Sequence, residues 1–550
     1  MINRVIDFSI KHKLAVLTII AAASIGGWWA MVTMRLDAIP DLSDTQVIIY
    51  SRWDRSPDIV EDQVTYPIVT AMLGAPRVRT VRGFSDFGYS YVYVVFEDGT
   101  DLYWARSRTL EYLSSILSRL PEGVKTELGP DATGLGWIYQ YALVDKSGKH
   151  SLSDLRSYQD WNLRYYLRSV PGVAEVAPVG GFERQYQVNL DPNRLRAYGI
   201  PVSRVVEAVR SGNDESSGRM VEFGGTEYMV RGHGYARSLE DFENIPLSVN
   251  DAGSQIRIKD VGQVSMGPDL RRGLADLDGA GEVVSGIVVM RSGENALDVI
   301  NRVKAKIKEI EPGFPAGVKL IPIYDRSELI HNTIGTVRAT IIEVLVTVVL
   351  IILVFLWHFP SAAIPIVTMP IAVLLAFIPF RMMGISANIM SLAGVAIAFS
   401  ELVDASIVVV EQVHKKLELW ERNGRVGECR PIVIAAIKEV AGPTFFSLLV
   451  IAVAFLPVLT LQAQEGRMFR PLAYTKTLTM LAAALLAVTL DPALRVLLTR
   501  VDRFRFRPAW LCRAANTLLV GEVKSEDRHP VSRRLIRVYE PVVRWTLRWR

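Results

Sequence analysis

The stretch AIAFSELVDASIVVVEQ (Ala396–Gln412) is apolar enough to sit in a lipid bilayer, yet it carries three carboxylates: Glu401, Asp404 and Glu411. An ionised side chain at the bilayer centre costs at least roughly 2.5–3.5 kcal/mol on insertion scales. A helix turns about 100° per residue, so with Glu401 at zero, Asp404 falls near 300° and Glu411 near 280°. All three therefore share about 80° of arc and can face a bundle interior while Val and Ile residues meet lipid. Membrane carboxylates placed in this way mark an ion or proton path. Asp404, flanked by apolar residues on both sides, is the central candidate for a proton relay, with Glu401 beside it. Glu411 stands just before His414, Lys415 and Lys416, so its alternative reading is an interfacial glutamate paired with those cations.

The carboxylate run belongs to a series of apolar spans. Leu14–Met34 is 21 residues without a charge, preceded by Lys11 and Lys13, with Trp28 and Trp29 near its far end. A signal peptide has a shorter apolar region and ends at a small-residue cleavage site, so this run reads as a retained transmembrane helix. Thr340–Leu356, Ser361–Phe380, Ser391–Val413, Gly442–Leu461 and Leu478–Leu498 make six spans in all. The loop between the fourth and fifth holds Lys415, Lys416, Arg422, Arg425, Arg430 and Lys438. The stretch after the sixth holds Arg500, Arg503, Arg505 and Arg507. The loops on the other side carry Arg381 in one and Arg467 and Arg470 in the other, with Lys476 read as lying at the entry of the sixth helix. The positive-inside rule then puts the N-terminus in the cytoplasm and the region between the first two spans outside.

That region, roughly 35 to 338, has soluble patterning and an internal echo. SYVYVVFEDGTDLYWARSRTLEYLSSILSRLPEGVKTEL (Ser90–Leu128) and VVSGIVVMRSGENALDVINRVKAKIKEIEPGFPAGVKLIPI (Val283–Ile323) both read strand, Gly-containing turn, helix, Gly-Val, strand. Two α+β units are expected, each a sheet backed by helices. The expected division is 1–34 for the first helix, 35–135 and 136–333 for the two α+β units, 334–500 for helices two to six, and 501–550 for a cytoplasmic segment. An insertion at about 212–268, rich in Gly and charge, is expected to protrude. The net charge of +5 is too mild to suggest nucleic acid, and Cys429 and Cys512 are too few and too far apart for a disulfide framework. No CxxC pair, HExxH, Walker loop or GxSxG elbow occurs, so nothing here points to an enzyme.

The phrases DAIPDLSDTQVII, VEDQVTYP, VRGFSDFGYSYVYVVFEDGTDLYWARSR, LGPDATGLGWIYQYALVD, YDRSELI, ANIMSLAGVAIA and EGRMFRPLAYTKT resemble the heavy-metal efflux branch of the resistance-nodulation-division (RND) permeases, and within it the copper/silver group. The resemblance runs almost the whole length. It implies an RND permease half: an α-helical membrane bundle of six helices with α+β periplasmic porter subdomains. It implies a proton antiporter of the bacterial inner membrane that exports Cu(I) or Ag(I), with no cofactor. Expected partners are two further copies in a homotrimer, a periplasmic adaptor protein and an outer-membrane channel. Asp404 matches the family's relay aspartate. Ala398 stands where divalent-cation relatives carry a further aspartate. Met390 and Met480 match positions where copper/silver members line a thioether path, and soft thioethers suit Cu(I) and Ag(I). Packing is the alternative reading for both methionines.

The chain also departs from the family pattern. The family has two similar halves, and this sequence matches the first. A split permease, completed by a complementary second half, is one expectation. A vestigial fragment or assembly partner is another, and export of a different metal or an organic substrate is a third. Leu270, Leu402, Val409 and Arg495 stand where copper/silver members place methionines, and Glu401 replaces a small residue. Asp491, one turn before Arg495, offers it an i,i+4 ion pair.

Overall fold

The computed structural model describes residues 2–249, 253–271, 273–356, 359–424, 428–498 and 530–549. Within the helices, the side chains of 352–353, 355–356, 359–362, 404–406 and 530–532 lie outside the description. Six helices among the described residues are long and apolar enough to cross a membrane. They are α1 (Lys13–Val32), α2 (Arg326–Leu356), α3 (Phe359–Met382), α4 (Ile389–Arg422), α5 (Cys429–Ala454) and α6 (Ala463–Val488). A short buried helix, α7 (Leu490–Leu498), follows.

Each apolar run read from the sequence lies in one of these helices or directly continues it, but the edges move. Helix α2 begins at Arg326, well before the apolar run at Thr340. Helix α6 begins at Ala463 rather than Leu478 and ends at Val488, so the run to Leu498 is two helices and not one. The cause is charge: Glu465, Arg467, Arg470 and Lys476 dilute the hydropathy of a segment that is nevertheless helical. Pro471 lies inside α6, and α3 contains Pro365, Pro370 and Pro379, which neighbouring helices tolerate in a membrane bundle.

Helices α4 and α6 start from the same place. The segment after α1 pairs with the residues before α4, through Ile389 N to Ala38 O at 3.1 Å and Ala387 N to Arg35 O at 2.8 Å. Asn388 caps α4, accepting from the backbone N–H of Met390 and Ser391, while the Ser391 hydroxyl accepts from Asn388 N–H. Near the start of α6, Arg467 donates to Leu42 O at 2.8 Å and to Asp44 Oδ1 at 2.7 Å. The two helices therefore run parallel and side by side. They pack closely because Gly394 has no side chain: a Cβ there would overlap the Thr475 hydroxyl and come within 2.6 Å of the Leu472 carbonyl oxygen.

The chain forms two compact units. The first comprises Met1–Ile138, Met290–Arg302 and Asp325–Arg550. Besides the bundle it holds an antiparallel sheet of β1 (Gln46–Arg52), β2 (Val78–Asp86), β3 (Tyr89–Phe96) and β4 (Lys125–Leu128), in the order β2-β3-β1-β4. Strand β1 alternates, and Val47 and Ile49 join Ile68, Met72, Val92 and Leu113 in a core beneath helices Tyr66–Leu73 and Leu102–Leu117. Asp101 caps the longer helix through Trp104 N–H.

The second unit comprises Tyr139–Val289 and Val303–Tyr324. Its main sheet orders β14 (Val318–Asp325), β5 (Trp137–Asp145), β13 (Val284–Met290) and β6 (Val173–Val179). The echo in the sequence is thus β3, helix Leu102–Leu117, β4 and again β13, helix Ala296–Ile310, β14. In the insertion, β8 (Ser216–Phe223) and β9 (Thr226–Gly232) form a hairpin whose every residue is exposed. It turns on Gly224 and Gly225, both at positive φ, as a tight two-residue hairpin requires. The rest of the insertion is folded inward: Phe242, Ile245, Leu247, Ile256 and Val261 are buried, and β12 (Gly262–Pro268) pairs with β7 (Arg184–Leu190). The small sheet of β10 (Pro246–Val249) and β11 (Gln255–Arg257) belongs to the same core.

The close approach at Gly394 generates a test. Gly394→Ala is expected to lose about 1–3 kcal/mol, the scale of overpacking, read as a lowered unfolding midpoint in detergent. Gly335→Ala in α2, where an added Cβ meets nothing within 4 Å, is the control and should be neutral or stabilising.

Candidate functional site

A long apolar helix can hold a lysine only if its ammonium finds a counter-charge. Lys476 is 13 residues into α6, about 20 Å along the axis and halfway along this 26-residue helix. Its side chain is 4% exposed, and Nζ lies 2.8 Å from Glu401 Oε1. The same ammonium sits 3.5 Å from the centre of the Phe455 ring, at the end of α5. Glu401 lies seven residues beyond Gly394 on α4 and Lys476 one residue beyond Thr475 on α6, so the lysine side chain reaches along the helix pair to meet the carboxylate. The other carboxylate oxygen, Oε2, is buried and meets no donor among the described residues.

The remaining residues singled out by the sequence divide clearly. Asp404 lies in α4 one turn beyond Glu401, and its side chain is outside the described residues. Glu411 pairs with Lys415 at 2.5 Å, both half-exposed, which is the interfacial arrangement its neighbours suggested. Met480 is fully buried in the bundle core with Phe399 and Leu402, one turn from Lys476. Met390 is half-buried in the first turn of α4. Measured from the contact of Gly394 with Thr475, the two methionines stand about 13 Å apart along the bundle. They occupy two levels of one helix pair rather than joining at one point. Arg500, Arg503, Arg505, Arg507 and Cys512 lie outside the described residues.

Below the ion pair, a small cavity of about 30 Å³ is lined by Thr368, Met369, Leu402, Val409, Leu448 and Asp491, among others. That is room for a water molecule or two. Asp491 accepts from Arg495 at 2.8 and 3.2 Å, with both side chains buried, so the i,i+4 pair is formed inside the bundle.

At the outer ends of the helices the chemistry turns polar. Arg467 donates to Asp44, to Asp98 and to Leu42 O, tying α6 to the segments that precede β1 and follow β3. Arg79 adds a second cation to Asp44 at 2.9 Å. The Arg467 hydrogen bond, with Arg79 behind it, holds the Asp44 carboxyl below the ordinary carboxylate range. A cavity of about 310 Å³ lies here, walled by Asp41, Ser43, Asp44, Asp98, Arg467 and Arg470. A smaller one of about 160 Å³ shares Asp41, Thr133 and Ser292 with it and reaches Asp37 and Met290. Asp37 faces Arg326 at 3.5 Å, and Arg326 also donates to Leu135 O and Trp137 O. Burial raises the Asp37 carboxyl above its ordinary value, and Arg326 offsets this only in part.

Sequence reading placed Lys476 at a helix entry and missed its partner. The signal was present: an 18-residue stretch within Ala463–Val488 keeps a mean hydropathy of 1.4, and a lysine inside such a span calls for a partner. Arg467 was counted as a loop charge, and nothing in its neighbours points to Asp44 and Asp98, more than 350 residues away.

The AcrB/AcrD/AcrF family model matches residues 5–549. The chain is 45% identical over 555 residues to the cation efflux system protein CusA of Escherichia coli (strain K12), covering 100% of this chain and 51% of that protein. It is equally 45% identical over 556 residues to the putative cation efflux system protein SilA of Salmonella typhimurium, with the same coverage. The crystal structure of a heavy metal efflux pump superposes with a TM-score of 0.77 at 31% identity, over 89% of this chain and 48% of that one. The chain spans about half the length of the curated relatives it matches.

Two outcomes follow from the site. Lys476→Met leaves Glu401, half-buried with one oxygen enclosed, without its cation and is expected to lower the unfolding midpoint, whereas Glu401→Leu with Lys476→Met should be near neutral; unfolding midpoints of the three chains in detergent decide it. Asp44 is held below its ordinary value of 3.8, so its stabilisation is present above that value and is lost as pH falls through the folded one. Arg467→Gln removes the main cause. The acid loss of near-ultraviolet circular dichroism should then begin at a higher pH than in the native chain; an unmoved acid limb would assign the effect to Arg79 instead.

Proposed function

This chain belongs to the AcrB/AcrD/AcrF family, and on that footing we propose that it takes part in proton-driven export of a metal cation, Cu(I) or Ag(I), from the bacterial inner membrane. The observation that carries the reading is the carboxylate–ammonium pair at mid-depth in the bundle. A transporter that exchanges a proton for a cation needs an ionisable group inside the membrane whose charge can be changed and balanced. Glu401 supplies one, Asp404 stands one turn beyond it, and Glu411 marks the far end of the same face, where protons leave.

In this reading the α+β units are periplasmic porter subdomains, and the exposed hairpin of β8 and β9 serves docking. Met390 at the head of α4 and Met480 in its middle are successive thioether steps for a soft ion. The working assembly is a homotrimer with a periplasmic adaptor protein, an outer-membrane channel and a complementary second half. A second reading, export of a harder metal cation, draws support from the small cavity. Leu402 and Val409 line it without a sulfur, and a carboxylate, Asp491, faces it alongside Met369.

The test is metal tolerance in a host lacking its own exporters. This chain is expressed alone, with a complementary second half, and with Asp404→Asn in the pair. Rescue against silver and copper by the pair, abolished by Asp404→Asn, is the expected outcome. Rescue against zinc or cobalt instead would favour the second reading. No rescue in any combination, with the protein present in the membrane, would leave the chain a fragment or assembly partner.

A further inference from the structure

We propose that the hairpin of β8 and β9 carries a surface site for a soft cation, Ag(I) or Cu(I), made by the thioethers of Met220 and Met229 with the carboxylates of Glu222 and Glu227 beside them. The strand register sets it up. Met220 stands directly opposite Met229, Val221 opposite Tyr228, Glu222 opposite Glu227 and Phe223 opposite Thr226. The ladder is regular over these four rungs, and its irregularity lies beyond them, between Ser217 and Met220. Cross-strand partners share a face and successive residues alternate. Both methionines and both glutamates therefore lie on one face of the hairpin, with Val221, Phe223 and Tyr228 on the other.

The turn decides which rungs bring side chains closest. Gly224 and Gly225 are both at positive φ, the signature of a type I′ turn, which closes on Phe223 and Thr226. Hydrogen-bonded and non-hydrogen-bonded rungs alternate from there. Glu222/Glu227 and Met220/Met229 both fall on the non-hydrogen-bonded kind, where side chains stand nearest. Opposed Cβ atoms on such rungs are ~4.5–5.5 Å apart. Two thioethers at that separation can turn their sulfurs to one ion, and the glutamate rung lies two residues, ~7 Å, along the strands.

Packing explains neither pair. Met220 is 54% and Met229 76% exposed, so neither fills a gap in a core, the ordinary use of methionine. Like charges directly opposite each other destabilise a ladder. Glu222 and Glu227 are so placed, and neither side chain has an ion pair among the described residues. The cations at the base of the hairpin, Arg231 and His233, are turned to Glu215. A bound cation would offset the repulsion. The apolar face, with Val221, Phe223 and Tyr228 exposed, is suited to docking, and the thioether face is left for another use.

The donor set selects the ion. Among the described residues no three His, Cys, Asp or Glu side chains come together to hold a metal. Zinc favours nitrogen, thiolate and carboxylate donors, whereas Ag(I) and Cu(I) take thioether sulfur. The two carboxylates raise the local concentration of any cation, and the sulfurs choose among them. The site goes beyond the export reading and uses neither Met390 nor Met480.

The experiment titrates the full chain in detergent, its methionine methyl groups labelled with carbon-13, with silver nitrate and separately with zinc chloride. Met220→Leu and Met229→Leu, made singly, assign the two methyl signals; both positions are exposed, so the fold is kept. In the native chain the two signals are expected to move with one shared midpoint on adding silver and to stay in place with zinc. Each single variant should lose the silver response of the remaining methionine. Glu222→Gln with Glu227→Gln should raise the midpoint about tenfold or more, the scale on which a charged surface concentrates counter-ions. Signals that stay put in excess silver, an equal response to zinc, a Met229 signal that moves as before in Met220→Leu, or a midpoint unchanged in the double glutamine variant overturns the site. Met390→Leu with Met480→Leu should leave the hairpin's response intact. The binding measured here involves no transport, so a failed export assay leaves it standing.

Discussion

Glu401 and Lys476 stay inside an apolar bundle only as each other's counter-charge. Either one alone would be an isolated ion at mid-depth, and the cost of that exceeds what a single side chain's packing returns. Much of the bundle's arrangement serves this meeting. Helix α6 begins at Ala463, fifteen residues before its uninterrupted apolar run, which places Lys476 inside the helix, where its side chain meets Glu401. Gly394 lets the two helices touch along their backbones, which brings a lysine within reach of a glutamate on the neighbouring helix. Phe455, where α5 ends, closes the remaining side of the ammonium with a ring rather than with water.

The same helix is anchored at its outer end by a different kind of contact. Arg467 reaches Asp44 and Asp98, which flank the central strands of the first α+β sheet. Nine residues, about 13 Å of helix, separate this anchor from Lys476. Pro471 lies between them and removes one backbone hydrogen bond from that stretch. Helix α6 thus links a solvent-facing ion-pair network to a buried one. One cavity borders the outer network, and a second, which shares Asp41 with it, is lined by Asp37, lifted by burial.

The membrane bundle and the repeated strand–helix–strand units were legible because both are written in local periodicity. Leu14–Met34 and Ser361–Phe380 are long apolar runs that read directly as α1 and α3. The alternation in β3, the short apolar run of β13 and the helices after them were equally visible. What escaped were features set by contacts distant in sequence. Hydropathy alone places Lys476 at a boundary, because it scores the charge and not the carboxylate 75 positions away that neutralises it. The insertion at 212–268 read as rich in Gly and charge and was expected to protrude, yet Phe242, Leu247 and Val261 turn inward, while the hairpin of β8 and β9 is exposed. Glu411 and Asp491 were readable because their partners lie four residues off on the same helix. The face shared by Glu401, Asp404 and Glu411 drew attention to α4, and the partner helix came from the structure.

The most direct test of this account is an experimental structure of the chain in a lipid nanodisc at neutral pH, at a resolution that shows side chains in α4 and α6. The account predicts Lys476 Nζ within hydrogen-bond distance of Glu401 and against the Phe455 ring. A Lys476 side chain extended to the headgroup region, or a Glu401 facing lipid, would contradict it.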